Sequence, residues 1–263
     1  MRTSKYVLMS LITLVLSNTA IARLPIQTWK SAHGATVLFI ETHQLPMLDV
    51  ALVYDAGARR DPADKQGLAA QTVNLLNKGS THLNKTELAE QLADIGAQFN
   101  TEIDADMSVI SVRTLSDVKL RNIAMKHLKT VLSEPAFDEL QIKRERSLSI
   151  GNILQSNTEP SSIAFNALMS AIYAKHPYGY LSHGTEKSLN NIQRGDILKF
   201  YTQYYAEQQP IINIVGAITR TEAEQIANQL ENTQPSLATL PAIEPVSLLT
   251  EAKKQFIPFP SSQ

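Results

Sequence analysis

The order in which strand-like and helix-like segments follow one another constrains this chain more than any single motif. Residues 35–41 and 48–54 are runs of β-branched and apolar residues joined across Gln44-Leu45-Pro46, and they read as two consecutive strands. A turn-rich loop over 55–64 leads to a helix over about 66–77, which Gly79 closes. Asn84 and Glu87 have the spacing of a capping box, and Leu88, Leu92 and Ile95 then repeat at helical spacing until Gly96. Strands return at 99–101 and 107–115. Leu120, Ile123, Ala124, His127, Leu128 and Val131 share one face of the next helix. A long helix is predicted from near Phe137 to about Asn157 and another over roughly 161–174. Asp196 caps or begins a helix carrying Leu198, Phe200, Tyr201 and Tyr204, residues 211–215 form a short strand, and 219–231 an amphipathic helix. Helices and strands mix without a regular β-α-β alternation, which predicts an α+β domain.

The N-terminus speaks to compartment. Arg2 and Lys5 precede an almost unbroken apolar run over 6–16, and Ala20-Ile21-Ala22 supplies a small-x-small cleavage pattern. A basic start, roughly 7–15 apolar residues and an Ala-x-Ala end describe a secretory signal peptide. The run is shorter than the ~20 residues that span a bilayer. Residues 1–22 are therefore expected to be a signal peptide cut between Ala22 and Arg23, delivering the chain to the periplasm with no membrane attachment afterwards. Losing Arg2 and Lys5 moves the formal charge from −1 to −3, and no basic stripe invites nucleic acid. The chain has no Cys, so neither disulfides nor a thiolate enter its chemistry.

Residues 23–231 read as one domain. From 232 to 247 the chain is rich in Pro, Ala, Ser and Thr, the composition of an interdomain linker. Residues 253–259 read as a new strand, so 248–263 is expected to begin a truncated second domain.

Asp55-Ala56-Gly57-Ala58-Arg59, followed by Gly67-Leu68-Ala69-Ala70-Gln71-Thr72-Val73-Asn74-Leu75-Leu76-Asn77-Lys78-Gly79-Ser80, carries a family resemblance. So does the later series His176-Pro177-Tyr178-Gly179, Gly184-Thr185, Ile192, Phe200-Tyr201, Tyr205 and Val215-Gly216-Ala217-Ile218. Together they resemble the N-terminal half of the M16 zinc peptidases, the pitrilysin, insulinase and mitochondrial processing peptidase type, over roughly 24–230. The resemblance implies a mostly antiparallel sheet with helices packed on one face.

In that family the helix reads Gly-Leu-Ala-His-x-x-Glu-His-x-x-x-Lys-Gly-Thr. Two His four residues apart on one helical face grip Zn²⁺, and the Glu between them is the general base. Carried over, the first His falls on Ala70, the general base on Val73 and the second His on Asn74. The third ligand, a Glu on a later helix, falls on Gly151, followed by Asn152. Ala, Val and Gly side chains have no lone pair, and an Asn amide oxygen is a poor Zn²⁺ ligand. No His-x-x-x-His occurs anywhere in the chain. No catalytic residue, metal ligand or cofactor is therefore expected.

Other candidates have blander explanations. His33, His43, His82, His127, His176 and His183 form no i,i+3 or i,i+4 pair; His127 belongs to an apolar helical face, and His176 and His183 flank one loop. Lys143-Arg144-Glu145-Arg146 reads as a solvated face with i,i+3 and i,i+4 charge pairing. Tyr201, Tyr204 and Tyr205 have the spacing of core residues. The resemblance implies a non-catalytic subunit that forms a chamber and holds peptides or unfolded polypeptides. Its partner would be a motif-bearing M16 paralogue or a second copy of itself. The alternative is a peptide-binding or scaffold protein with no peptidase partner; an active zinc endopeptidase is the third reading.

Overall fold

The computed structural model describes residues 25–235, 239–247, 251–252 and 254–259. The segment 1–22 expected to be a signal peptide, its Ala22–Arg23 boundary and Lys253 lie outside the described residues.

Six strands form one sheet: β1 (Gln27–Lys30), β2 (Thr36–Glu41), β3 (Met47–Tyr54), β4 (Gln98–Ile103), β5 (Ser108–Leu115) and β6 (Ile211–Gly216). Their spatial order is β1-β2-β6-β3-β5-β4; β2 and β6 run parallel and every other pair is antiparallel. The period of two in β3 sends Leu48, Val50, Leu52 and Tyr54 to one face, where Ile110 and Val112 of β5 and Ile212 and Ile214 of β6 join them. Leu52 and Ile212 stand opposite one another in register and are fully buried. Each such side chain contributes roughly 2 kcal/mol by leaving water.

On that buried face α1 (Leu68–Leu75), α2 (Lys85–Ala93), α3 (Val118–Ser133) and α8 (Arg220–Leu230) contact the strands, while α4 (Glu139–Ser156), α5 (Pro160–Tyr173), α6 (Glu186–Asn191) and α7 (Arg194–Tyr201) pack farther out. The opposite face is only half covered, with Ile211 and Val215 exposed. The fold is α+β, with the mostly antiparallel sheet and one-sided helix packing that the resemblance implied.

Local chemistry sets the boundaries. Asn84 accepts from the amides of Thr86 and Glu87 while Glu87 accepts from the Asn84 amide at 2.7 Å, which is the expected capping box. The long helix α4 begins near Phe137 as expected: Phe137 itself is left-handed at φ 44, and Asp138 caps a helix that begins at Glu139. Asp196 is the third residue of α7 and serves its capping box, accepting from the Gln193 amide at 2.8 Å. The charge pairing expected within Lys143–Arg146 does not form among the described residues, and Arg146 instead donates to the Ile192 carbonyl at 2.7 Å. The strand expected over 253–259 is absent over 254–259, where no neighbouring strand supplies hydrogen bonds and Phe256 is 88% exposed. Part of the proline-rich segment is tethered: Arg60 donates to the Pro241 carbonyl, and His176 Nε2 donates to that of Glu244 at 2.7 Å.

His127 is buried on α3 as its helical face predicts. One ring nitrogen meets Asn77 Oδ1 at 2.9 Å, the other has no partner among the described residues, and burial pushes the imidazole down to about 4. The unfolded chain therefore takes up a proton near pH 6.5 that the folded chain refuses. Stability from this site is complete above pH 6.5 and is lost as pH falls toward 4, by on the order of 2 kcal/mol. Urea unfolding at pH 7 and pH 4.5 should show this loss, and the His127→Gln variant should show a flatter acid limb. Equal acid slopes in both proteins would remove His127 as the cause.

Candidate functional site

The four positions singled out by the motif lie where α1, α4 and β4 meet. Helix α1 enters through Gly67, which is left-handed at φ 91. Its first turn is capped from a distance: Asp61 Oδ2 accepts from the Gly67 amide at 2.7 Å and Oδ1 from the Ala69 amide at 2.8 Å. Burial pushes the Asp61 carboxyl up to about 7, against the amides of Ala69, Gly67 and Leu68, which favour the carboxylate.

Along α1, Ala70 and Val73 are buried in the packing, and Asn74 is half-buried toward β4. Thr101 of β4 donates its hydroxyl to Asn74 Oδ1 at 3.1 Å. Gln71 donates to Ser149 Oγ of α4 at 2.7 Å, which brings α1 against the turn of α4 that carries Gly151. Gly151 itself is exposed, and a Cβ added there would meet nothing within 4 Å. The structure thus brings the α1 positions and the α4 segment to one place, joined by neutral hydrogen bonds. Among the described residues no three His, Asp or Glu side chains gather in a way that could hold a metal ion. The donor set does not fit zinc: three of the four side chains have no donor atom, and the Asn74 oxygen is already bonded to Thr101.

Beside this point lies a cavity of about 600 Å³, walled by Ile103, Asn152, Phe165, Met169, Tyr178 and His183 among others. Among the described residues strand β4 is an edge paired with β5 alone, which leaves its outer side open to an extended chain. One wall of the cavity is fixed by polar contacts: Tyr178 donates to Asp106 at 2.7 Å and receives from Arg59 at 3.0 Å, while Arg59 also pairs with Asp55 at 3.0 Å. His176 and His183 do not pair with each other; His176 accepts from the Tyr178 amide at 3.2 Å, and His183 lines the cavity. Sequence reasoning missed Thr101, the Gln71–Ser149 bond and the cavity. The adjacency of Gln71 to Ala70 was the one available signal, and it becomes meaningful only once α4 is placed beside it.

The sequence profile of insulinase, peptidase family M16, matches residues 36–186. The peptidase M16 inactive domain from Pseudomonas fluorescens, a solved structure, superposes with a TM-score of 0.80 at 32% identity, over 85% of this chain and 54% of that one. The non-peptidase homolog YmxG of Helicobacter pylori is 22% identical over 83% of this chain and 49% of its own length. The mitochondrial-processing peptidase subunit beta of Neurospora crassa is 21% identical over 88% of this chain and 48% of its own length. The chain spans about half the length of the curated relatives it matches. It belongs to the insulinase family, peptidase family M16.

Proposed function

We propose that this chain is a catalytically inactive M16 homologue that works as the accessory subunit of a periplasmic zinc peptidase, completing its chamber and holding extended substrate. The observation that carries this reading is the Asn74–Thr101 bond, a neutral pair where the family motif sets a metal-binding His. The open edge of β4 and the adjoining cavity offer an unfolded peptide backbone pairing and side-chain space. Helix α5 buries none of its residues and leaves Phe165 59% exposed and Leu168 54% exposed, a surface suited to a partner subunit. The names of the Pseudomonas fluorescens and Helicobacter pylori relatives agree with an inactive chain, and that of the Neurospora crassa relative with a paired subunit.

The test is reconstitution with a motif-bearing M16 paralogue. The chain alone should hold no stoichiometric zinc and cleave no unfolded peptide, and Asn74→His alone should change neither, since a catalytic zinc needs three protein ligands. The mixture should cleave about 10-fold or more faster than the paralogue alone, in a chelator-sensitive manner. Peptide binding without any association with the paralogue would favour the scaffold alternative. Tightly bound zinc with hydrolysis by the lone chain would overturn both.

A further inference from the structure

A second cavity, of about 260 Å³, opens between α3, the turn that follows α7 and the end of α8, and shares no lining residue with the cavity beside β4. Its wall is aromatic, with Tyr54, Tyr201 and Tyr205 all contributing. The chain from Thr202 to Ala206 makes a π turn, closed where the Glu207 amide reaches the Thr202 carbonyl at 3.0 Å. Such turns are rare and concentrate at functional sites. In this arrangement the Tyr201 and Tyr205 rings lie nearly parallel, 6.2 Å apart at 16°, and Tyr54 leans on Tyr205 at 4.9 Å.

The three hydroxyls differ in what they leave free. That of Tyr205 pairs with Ser108 Oγ at 2.7 Å, and that of Tyr201 donates to the Leu132 carbonyl. Tyr54 lines the cavity, and its hydroxyl, which is not among the sealed polar atoms left without a partner, bonds to none of the described residues. A hydroxyl that meets only water in an open cavity can exchange that water for an acceptor on a ligand. Burial also raises its pKa well above the ordinary phenol value, so it remains a donor. Lys129 stands exposed on the lining and forms no ion pair among the described residues. Glu231 lines the cavity too, but its carboxylate is held by the Ser31 hydroxyl and by the His33 amide and ring, the last two at 2.8 Å.

We propose that this cavity binds a small aromatic monocarboxylate carrying a second oxygen acceptor. The ring lies against Tyr201 and Tyr205, the acceptor takes the Tyr54 proton, and the carboxylate faces Lys129. Its volume falls below the roughly 300–1,000 Å³ of pockets for drug-sized ligands, which suits a single ring.

Calorimetric titration of the whole chain with 4-hydroxybenzoate tests this. Saturable binding is expected, weakened about 10-fold by Tyr54→Phe and about 3-fold by Lys129→Gln. Benzoate should bind the unaltered protein about as weakly as 4-hydroxybenzoate binds the Tyr54→Phe variant, and 4-hydroxybenzylamine should not bind. Tyr54→Phe keeps the ring and removes an uncommitted hydroxyl, so its Tm should match that of the unaltered chain. Failure to saturate at millimolar 4-hydroxybenzoate, an affinity unchanged in Tyr54→Phe, or a fall in that variant's Tm would each overturn the proposal.

Discussion

Asp61→Ala should destabilise the fold by about 3 kcal/mol, because it strips the first turn of α1 of a carboxylate that accepts from two of its amides. The Gly67 and Ala69 amides now end on the two Asp61 oxygens at 2.7 and 2.8 Å in a buried setting, and Gly67 has no side chain to replace them. Water would have to enter the core to satisfy them. Asp61→Asn should cost about half as much, since its one carbonyl oxygen can serve one amide while its NH₂ group faces the other. Urea unfolding followed by far-UV circular dichroism would measure both. A loss below about 1 kcal/mol in Asp61→Ala would mean that the cap is replaceable.

Gly184→Ala should be at least as damaging, on the order of 3–4 kcal/mol. Gly184 is left-handed at φ 79, and an added Cβ would lie 2.3 Å from the Gln66 carbonyl oxygen and 3.0 Å from Ser188 Oγ. Neither the backbone of Gln66 nor Ser188, which donates to that same carbonyl at 2.8 Å, can retreat without breaking this hydrogen bond. Gly34→Ala is the control. Gly34 is also left-handed, at φ 95, but an added Cβ meets nothing within 4 Å, so only the conformational cost of about 1 kcal/mol remains. Equal thermal shifts in the two variants would show that close approach at Gly184 contributes nothing.

Local grammar was legible where a feature depends on near neighbours. The Asn84–Glu87 capping box, the alternation in β3 and the buried face of α3 all follow from residues within a turn or two. Strand β1 was not, because Gln27–Lys30 is short and mostly polar and becomes a strand only by pairing with β2. Helix α6 was missed for its brevity, although Thr185 and Ser188 form a capping box. The tyrosines show the limit most plainly. Their spacing foretold burial, and Tyr204 and Tyr205 are buried, but the π turn that sets Tyr201 beside Tyr205 leaves no mark in periodicity. The candidate site divides the same way: the identities of Ala70, Val73, Asn74 and Gly151 were readable, whereas the Thr101 and Ser149 contacts depend on how distant segments cross.

The position of β6 has a consequence for how this chain is made. Strand β6 comes last in sequence among the described strands and is not an edge; it sits between β2 and β3, hydrogen-bonded to both. Until residues 211–216 emerge, the two earliest long strands have an empty slot between them and their apolar side chains lack Ile212 and Ile214. Vectorial synthesis therefore cannot complete this sheet from its N-terminus outward, and the nascent chain must wait for a long-range closure that is slow to find.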